Sequence, residues 1–270
     1  KWKSAPLWTP NKIKKATTVW FKFMGKKWIK IKKKRSKLNF FIIIKMKKIL
    51  VVAAHPDDEI LGCGGTIAKH VANGDNVDVI FLTNGVSARI QKKYNLKKNI
   101  NKRRNAAIKA AKIVGANTPH FLNFSDNQLD KHPLLKIIKS VEKIIVKIKP
   151  EKVYTHFDND LNIDHQIANK VVITICRPQK KNKVKEILFF EVPSSTEWQI
   201  TKSSKTFAPN WFEDISKYLN KKILAIKAYK EELNEWPHPR SVKGIKSLAN
   251  WRGATVGYKA AEGFILGRKI

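Results

Sequence analysis

Acidic residues, cysteines and long apolar runs are all scarce in this 270-residue chain. Its 21 Asp and Glu stand against 55 Lys and Arg, which gives a formal charge of +34. The two cysteines, Cys63 and Cys176, form no CxxC pair, which argues against a disulfide scaffold or a zinc ribbon and favours a reducing, cytoplasmic compartment. The apolar stretch 38–44 is interrupted by Asn39 and followed by Lys45, well short of the roughly 20 residues of a transmembrane helix. Neither a membrane span nor a signal peptide is expected.

The excess positive charge is concentrated near the N-terminus. Residues 1–45 contain fifteen Lys or Arg and no acidic residue, mixed with tryptophan and phenylalanine, and no helix or strand period persists. Two interpretations stay open: a basic disordered extension, or an arm that binds nucleic acid or lies peripherally on an anionic membrane. Because 43% of the chain is hydrophobic, the remainder can bury a core. We therefore predict an extension over 1–45 and one domain over 46–270.

Strand and helix patterns alternate through the predicted domain. The predicted strands are 49–54, 76–83, 120–123, 152–156 and 186–192, and the predicted helices are 64–72, 99–114, 134–148, 163–175 and 215–232. This alternation predicts an α/β fold, with a mostly parallel sheet, right-handed crossovers and helices on both faces. In such sheets the reactive residues gather beyond the carboxyl ends of the strands.

A first polar cluster follows the strand 49–54 directly. It reads His55, Pro56, Asp57, Asp58, Glu59. Imidazole and carboxylate are ordinary zinc ligands, and a histidine and an aspartate three residues apart on a tight turn can point at one ion. The alternative is that the carboxylates only cap the next helix. The adjacent Asp57 and Asp58 favour the metal site, because two like charges at a buried strand end are costly unless a cation or a proton compensates them.

A second polar cluster, residues 156–165, follows the strand 152–156. Because it also lies at a predicted strand end, the two clusters can converge across neighbouring strands. Three protein ligands with an open fourth position are typical of catalytic zinc, and His55, Asp58 and a histidine of this cluster would complete such a set. A helix cap or a position at the edge of the core is the alternative for His165.

Three segments together resemble the PIG-L/LmbE-like family of zinc-dependent N-acetylglucosamine deacetylases. They are VVAAHPDDEILGCGGTIA, HFDNDLNIDHQIA, and the tail PHPRS with RGATVGYKAAEGF, so the resemblance spans 46–270. It implies a Rossmann-like fold, one zinc ion per chain, and hydrolysis of an N-acetyl group from a GlcNAc-containing sugar or glycoconjugate with release of acetate. It further implies His55, Asp58 and His165 as the zinc ligands and Asp57 as the catalytic base.

The resemblance leaves the general acid open. Many family members have histidine at the position of Asn162, which can stabilise an oxyanion or protonate the leaving amine. Asn162 can donate a hydrogen bond to the oxyanion but cannot serve as an acid. Either Asp57 returns the proton it took, or another group such as His238 donates it.

The substrate-binding positions are also inferred from the resemblance. Arg103, or its neighbour Arg104, precedes the Ala-rich helix at the spacing of a substrate-binding arginine. Ala106 stands where the family often has a glutamate, three residues after that arginine. Asp126 falls where the family has a polar residue near the site, and His238 is expected at the mouth of the site. A solvated cation and plain surface turns are the alternatives.

The remaining acidic residues of the two clusters, and one histidine, are expected to orient the ligands. They are Glu59, Asp160 and Asp164, together with His156 and Asp158.

Two rival functions stay open. One keeps the zinc hydrolase but changes the substrate to another small acyl-amide. The other is a basic protein that binds nucleic acid or a membrane through residues 1–45 and carries a vestigial metal site.

Overall fold

A computed structural model describes residues 46–88, 93–179, 184–200 and 205–270, together with the backbone of 20–24 and 27–31. The chain divides into two compact units, Lys1–Ile43 and Ile44–Ile270. In the first unit, strands β1 (Trp20–Met24) and β2 (Lys27–Ile31) pair antiparallel. The rest of the predicted extension lies outside the described residues, so its disorder and its partners stay predictions.

The second unit contains seven strands and six helices in its described residues. The strands are β3 (Lys48–Ala53), β4 (Asn76–Thr83), β5 (His120–Phe124), β6 (Lys152–His156), β7 (Glu186–Phe190), β8 (Trp211–Asp214) and β9 (Ala261–Lys269). The helices are α1 (Asp58–Ala72), α2 (Lys93–Val114), α3 (Leu134–Ile148), α4 (Ile163–Ile175), α5 (Leu219–Ile226) and α6 (Val242–Ala254).

The strands form one sheet in the order β5-β4-β3-β6-β7-β9-β8. The five strands from β5 to β7 pair in parallel, whereas β9 runs antiparallel to both β7 and β8. This confirms the mostly parallel sheet. Strand β3 lies in the interior of the sheet, between β4 and β6. This explains its unbroken apolar sequence, since a strand covered on both faces needs apolar side chains on both.

Helices cover both faces of the sheet, as predicted. One core joins alternate residues of β3, such as Val51, to Ile67 of α1, Ala110 of α2 and Ile223 of α5. The other core joins the intervening residues of β3 to α3 and α4. No helix in the described part of the chain is long and apolar enough to cross a membrane.

The predicted helix 215–232 is wrong in its bounds. The observed helix α5 starts only at Leu219, and a separate 3₁₀ turn, Lys230–Glu232, follows it. Asp214 Oδ1 accepts hydrogen bonds from both the backbone nitrogen (2.9 Å) and the hydroxyl (2.5 Å) of Ser216, and such local bonds compete with helix formation.

Helix α1 begins six residues earlier than predicted. Its two helical segments meet at Cys63, whose φ of −144° is not helical. Elements β8, α6 and β9 were not predicted; they complete the sheet edge and cover it.

Candidate active site

The two polar clusters meet because their strands are neighbours. Strands β3 and β6 pair in parallel with Val52 opposite Thr155, so their carboxyl ends lie side by side. The turn after β3 carries His55 into α1, and the loop after β6 carries His165 into α4. This is the sheet edge at which the sequence predicts the site.

The three predicted metal ligands lie within contact distance of one another. His55 Nδ1 is 3.0 Å from Asp58 Oδ2, His165 Nε2 is 3.2 Å from His55 Nδ1, and His165 Nε2 is 3.3 Å from Asp58 Oδ2. Ligand atoms bound to one tetrahedral zinc ion lie about 3.3 Å apart, given the usual zinc–ligand bond lengths. The triangle therefore has the dimensions of a zinc site.

An unsatisfied oxygen supports the same conclusion. Asp58 is fully buried, and its Oδ1 has no hydrogen-bond partner among the described residues. A buried, unpaired carboxylate oxygen is costly, and a bound cation removes that cost. Two imidazoles and one carboxylate also match the ligand chemistry of catalytic zinc. The residues present thus fit this ion.

His55 is oriented through its other ring nitrogen. Its Nε2 lies 3.1 Å from Asp126 Oδ1 and 3.2 Å from Asp164 Oδ2, which leaves Nδ1 for an ion. These three residues form a second group that could hold a metal. Both oxygens of Asp164, however, already accept backbone hydrogen bonds, from Asn127 (2.7 Å) and Leu129 (3.0 Å). Asp58 accepts one such bond, from the His55 nitrogen to its Oδ2 (2.8 Å), and its Oδ1 has no partner among the described residues. The first triangle is therefore the better metal site.

His165 is oriented by Asp160. Its Nδ1 lies 3.0 Å from Asp160 Oδ1. That carboxylate also accepts hydrogen bonds from the hydroxyls of Ser195 and Thr196 and from the backbone nitrogen of Asn162. Burial opposes its ionisation, but the hydrogen bonds and His165 outweigh burial and lower the pKa of Asp160 to about 2.

Asp57 lies beside the ligands without joining the triangle. Its Oδ2 is 3.1 Å from Arg240 Nη1 and 3.8 Å from Arg103 Nη1. Burial raises the pKa of Asp57 to about 6, against the opposing effect of the two guanidinium groups. A carboxylate with a pKa in this range is suited to accept a proton near neutral pH.

The backbone at Asp57 is strained and held in place by Glu59. Asp57 has a φ of +125°, outside the regions that non-glycine residues favour. Its backbone nitrogen donates to Glu59 Oε2 (3.0 Å), and Glu59 Oε1 accepts from the hydroxyl of Tyr229 (2.7 Å). Burial raises the pKa of Glu59 to about 8. The side chain of Glu59 thus orients the backbone of Asp57, two residues earlier, rather than the side chain of a proposed ligand.

Arg103, and not Arg104, faces the site. Arg103 is buried and donates to the carbonyl oxygens of Pro56 (3.2 Å) and Gly85 (3.3 Å) and to the carboxylate of Glu232. Gly85 has a φ of +66°, and a Cβ there would lie 2.8 Å from the ring of Pro56, so glycine is required. Arg104 instead donates to Asn123, away from the centre.

Glu232 is a residue that the sequence reasoning missed. It contacts Arg103 and lies 3.4 Å from Arg240 Nη1, so one carboxylate joins both arginines. Glu232 thus gives Arg103 a carboxylate partner. Ala106, at the position where the family often has a glutamate, cannot give one. No sequence signal distinguishes Glu232 from the adjacent Glu231, whereas Arg240 at least lies in the PHPRS segment.

Asn162 and His238 occupy different positions relative to the centre. Asn162 caps α4 through its Oδ1, which accepts from the Asp164 nitrogen (2.8 Å), and its Nδ2 donates to Asn127 Oδ1 (2.9 Å). It lines a pocket of about 50 Å³, and the described residues that line this pocket do not include His238. His238 Nδ1 instead accepts from the Arg240 backbone nitrogen (3.0 Å). The lining residues are His55, Asp57, Gly85, Arg103, Asp126, Asn127, Asn162, His165, Glu232 and Arg240.

Comparison with known proteins identifies the family. The family model described as PIG-L, GlcNAc-PI de-N-acetylase, matches residues 50–176, which contain the whole metal triangle. The uncharacterized deacetylase YaiS of Escherichia coli is 30% identical over 192 residues, covering 69% of this chain and 92% of that protein. The diacetylchitobiose deacetylase of Thermococcus kodakarensis is 26% identical over 237 residues, covering 84% and 87%.

A solved structure shows the same fold in an enzyme of another kind. The 4-carboxy-2-hydroxymuconate hydratase of Pseudomonas putida superposes with a TM-score of 0.67 at 23% identity, covering 83% of this chain and 98% of that one. The fold alone therefore does not define the reaction. The family is defined by the sequence matches: the chain belongs to the PIG-L/LmbE-like family of hydrolytic deacetylases.

Proposed function

We propose that this protein is a zinc-dependent hydrolase that removes the N-acetyl group from a GlcNAc-containing sugar or glycoconjugate and releases acetate. The observation that carries the proposal is the triangle of His55, Asp58 and His165 with the carboxylate of Asp57 beside it. The printed activity of the diacetylchitobiose deacetylase relative supports an acetylated sugar as the substrate class.

The metal site and Asp57 have different roles in the proposed amide hydrolysis. An amide is a poor electrophile, and a zinc ion on the three ligands would polarise the acetyl carbonyl and lower the pKa of the attacking water. Asp57 accepts the proton that this water loses. Arg240 and Arg103 fix the carboxylate of Asp57 in position, and Glu59 fixes its backbone.

The leaving amine needs a proton. Asn162 cannot supply one, but its side-chain amide lines the pocket and can donate a hydrogen bond to the developing oxyanion. Asp57 carries the proton that it took from water and faces the same pocket. We therefore assign both proton transfers to Asp57, and give His238 no part in them.

The substrate-binding roles are assigned by position in the pocket. Asp126 and Arg103 both line it, and both are also engaged with protein groups: Asp126 with His55, Arg103 with Glu232. We infer that they shape the pocket and keep the catalytic groups oriented. His238 is not among the described residues that line the pocket, and we assign it no contact with the acetyl group.

The alternatives make different predictions. A hydrolase of another small acyl-amide would use the same centre, so only the choice of substrate separates it from the proposal. A vestigial metal site is disfavoured because the three proposed ligands lie in contact distance of one another and Asp57 lines the same pocket as His55 and His165. Binding of nucleic acid or membrane through residues 1–45, and the cytoplasmic location, stay predictions.

Acetate release is the direct test. Purified protein, loaded with zinc, is incubated with free, lipid-linked and nucleotide-linked N-acetylated sugars and with simple acyl-amides, each with and without a chelator. We expect chelator-sensitive acetate release from the sugars and little from the simple amides. Release from simple amides alone supports the first alternative, and absence of release from every compound overturns the proposal.

A further inference from the structure

A buried ion pair lies at the kink of helix α1. Lys222 Nζ, from α5, is 2.6 Å from Glu262 Oε1, from β9, and both side chains are almost completely buried. The attraction between two buried charges often does no more than offset the free-energy cost of burying them. Such a pair therefore calls for a structural reason other than stability.

The pair bonds the backbone groups that the kink interrupts. In an uninterrupted α-helix the Gly65 nitrogen would donate to the Leu61 carbonyl oxygen. Here the Glu262 carboxylate accepts from the nitrogens of Gly65 (2.9 Å) and Thr66 (2.7 Å). Lys222 Nζ donates to the Leu61 oxygen (2.8 Å). The ion pair is thus inserted between the two segments of α1 and satisfies backbone groups of both.

The first segment of α1 carries both the proposed base and a proposed ligand. Asp57 immediately precedes the helix, and Asp58 is its first residue. The carbonyl oxygen of Asp57 accepts from the nitrogens of Ile60 (3.0 Å) and Leu61 (2.9 Å). Leu61 therefore contacts Asp57 through its nitrogen and Lys222 through its oxygen, so a single residue connects the ion pair to the base.

The strained backbone of Asp57 needs contacts of this kind. A φ of +125° persists only where the surrounding structure fixes it. Glu59 holds the nitrogen of Asp57, and Leu61 holds its carbonyl oxygen. The segment also packs closely, because a Cβ at Gly62 would lie 2.3 Å from the ring of Phe190. A change at the kink would tilt this segment and displace the carboxylate of Asp57.

We propose that Lys222 and Glu262 are positioning residues: by fixing the kink, they set the direction of the segment that carries Asp57 and Asp58. The proposal rests on the proposed function, since it concerns the base and the metal ligand assigned there. Neither Lys222 nor Glu262 is among the described residues that line the pocket, so their effect on catalysis is transmitted through α1.

Lys222→Met tests the proposal, because it keeps the length of the side chain and removes the group that bonds Leu61 and Glu262. In the folded, zinc-loaded variant we expect kcat for N,N′-diacetylchitobiose to fall roughly 10–100-fold with KM unchanged, since small displacements of a reacting group have effects of this size. Zinc affinity, measured by competition with a chelator, should fall about 10-fold because Asp58 moves with the same segment. Glu262→Asp, too short to reach both nitrogens, should act in the same direction and keeps the test open if Lys222→Met does not fold.

Lys152→Met is the matched control. Lys152 Nζ and Glu186 Oε2 also form a largely buried ion pair, of 2.7 Å. That pair lies between the first residues of β6 and β7, at the sheet edge opposite the site. This variant should lose stability in urea unfolding, whereas its kcat and zinc affinity should stay at the wild-type values.

Wild-type kcat and zinc affinity in folded Lys222→Met would overturn the proposal, and so would equal losses in Lys152→Met. If the wild type releases acetate from no N-acetylated sugar, the proposed function fails instead. Zinc affinity alone then decides the inference. Weaker zinc binding by Lys222→Met than by Lys152→Met supports it, and equal binding overturns it.

Discussion

Arg240 Nη1 lies 3.1 Å from Asp57 Oδ2, although 183 residues separate the two in sequence. The same guanidinium lies near Glu232, which also pairs with Arg103. Two arginines and two carboxylates thus form one buried network around the base. Because the network contains equal numbers of opposite charges, their attraction offsets part of the free-energy cost of burying them. The network also holds the carboxylate of Asp57 toward the pocket.

Removing the charge of Glu232 should destabilise the fold. In Glu232→Gln, Arg103 and Arg240 lose the carboxylate that they share, and breaking one partner of a buried ion pair costs about 3–5 kcal/mol. Urea unfolding should show this as a lower free energy of unfolding. Glu231→Gln is the matched control, because Glu231 is exposed and its pair with Lys102 is a surface contact, worth about 0–1 kcal/mol. Equal effects of the two substitutions would contradict the network.

The metal triangle predicts how much zinc the wild-type protein and its variants bind. Wild type should carry about one zinc ion per chain, and His165→Ala should lose most of it, because two ligands remain where catalytic zinc uses three. Asp160→Asn should keep the ligands but weaken affinity, on the order of 10–100-fold, since it disturbs the group that orients His165. Elemental analysis and competition with a chelator measure both effects. His132→Ala is a control, as this ring packs against Phe124 away from the centre. If His165→Ala still bound one zinc ion per chain, His165 would not be a metal ligand.

Asp57→Asn should separate binding of the metal from chemistry. The amide has the shape of the carboxylate but cannot accept a proton, so acetate release should fall by roughly 10²–10⁴-fold. Zinc content should stay at the wild-type value, because Asp57 contributes no atom to the triangle. An Asn variant that retains activity would show that the base lies elsewhere.

The sequence predicts the central part of the fold, and the meeting of the two polar clusters at one sheet edge, for local reasons. The bounds of β4, α3, β6 and α4 match because each has a clear period and a turn or proline at its end. His55 and His165 lie 3.2 Å apart because each cluster follows its strand directly, and parallel strands bring their carboxyl ends together.

What the sequence could not predict depends on tertiary contacts. Glu232 contacts Arg103 and Arg240 contacts Asp57, each more than a hundred residues away in sequence, and Glu232 does not stand out from the adjacent Glu231. Strand β9 lacks a strand-like signature, because Gly263 and Gly267 interrupt it. Gly267 packs against the ring of Phe189, with a Cβ position 2.5 Å from its Cζ, a requirement visible only in the folded protein.

The two free cysteines should be chemically inert in the folded protein. Both are buried, and burial raises the pKa of Cys63 well above its ordinary value and that of Cys176 to about 12. Because the thiolate is the reactive species, neither thiol should react with a disulfide reagent at pH 8. In guanidinium chloride, where burial is lost, the reagent should titrate two thiols per chain. Rapid reaction of one thiol under native conditions would mean that its surroundings open readily; comparing Cys63→Ala with Cys176→Ala would identify which one.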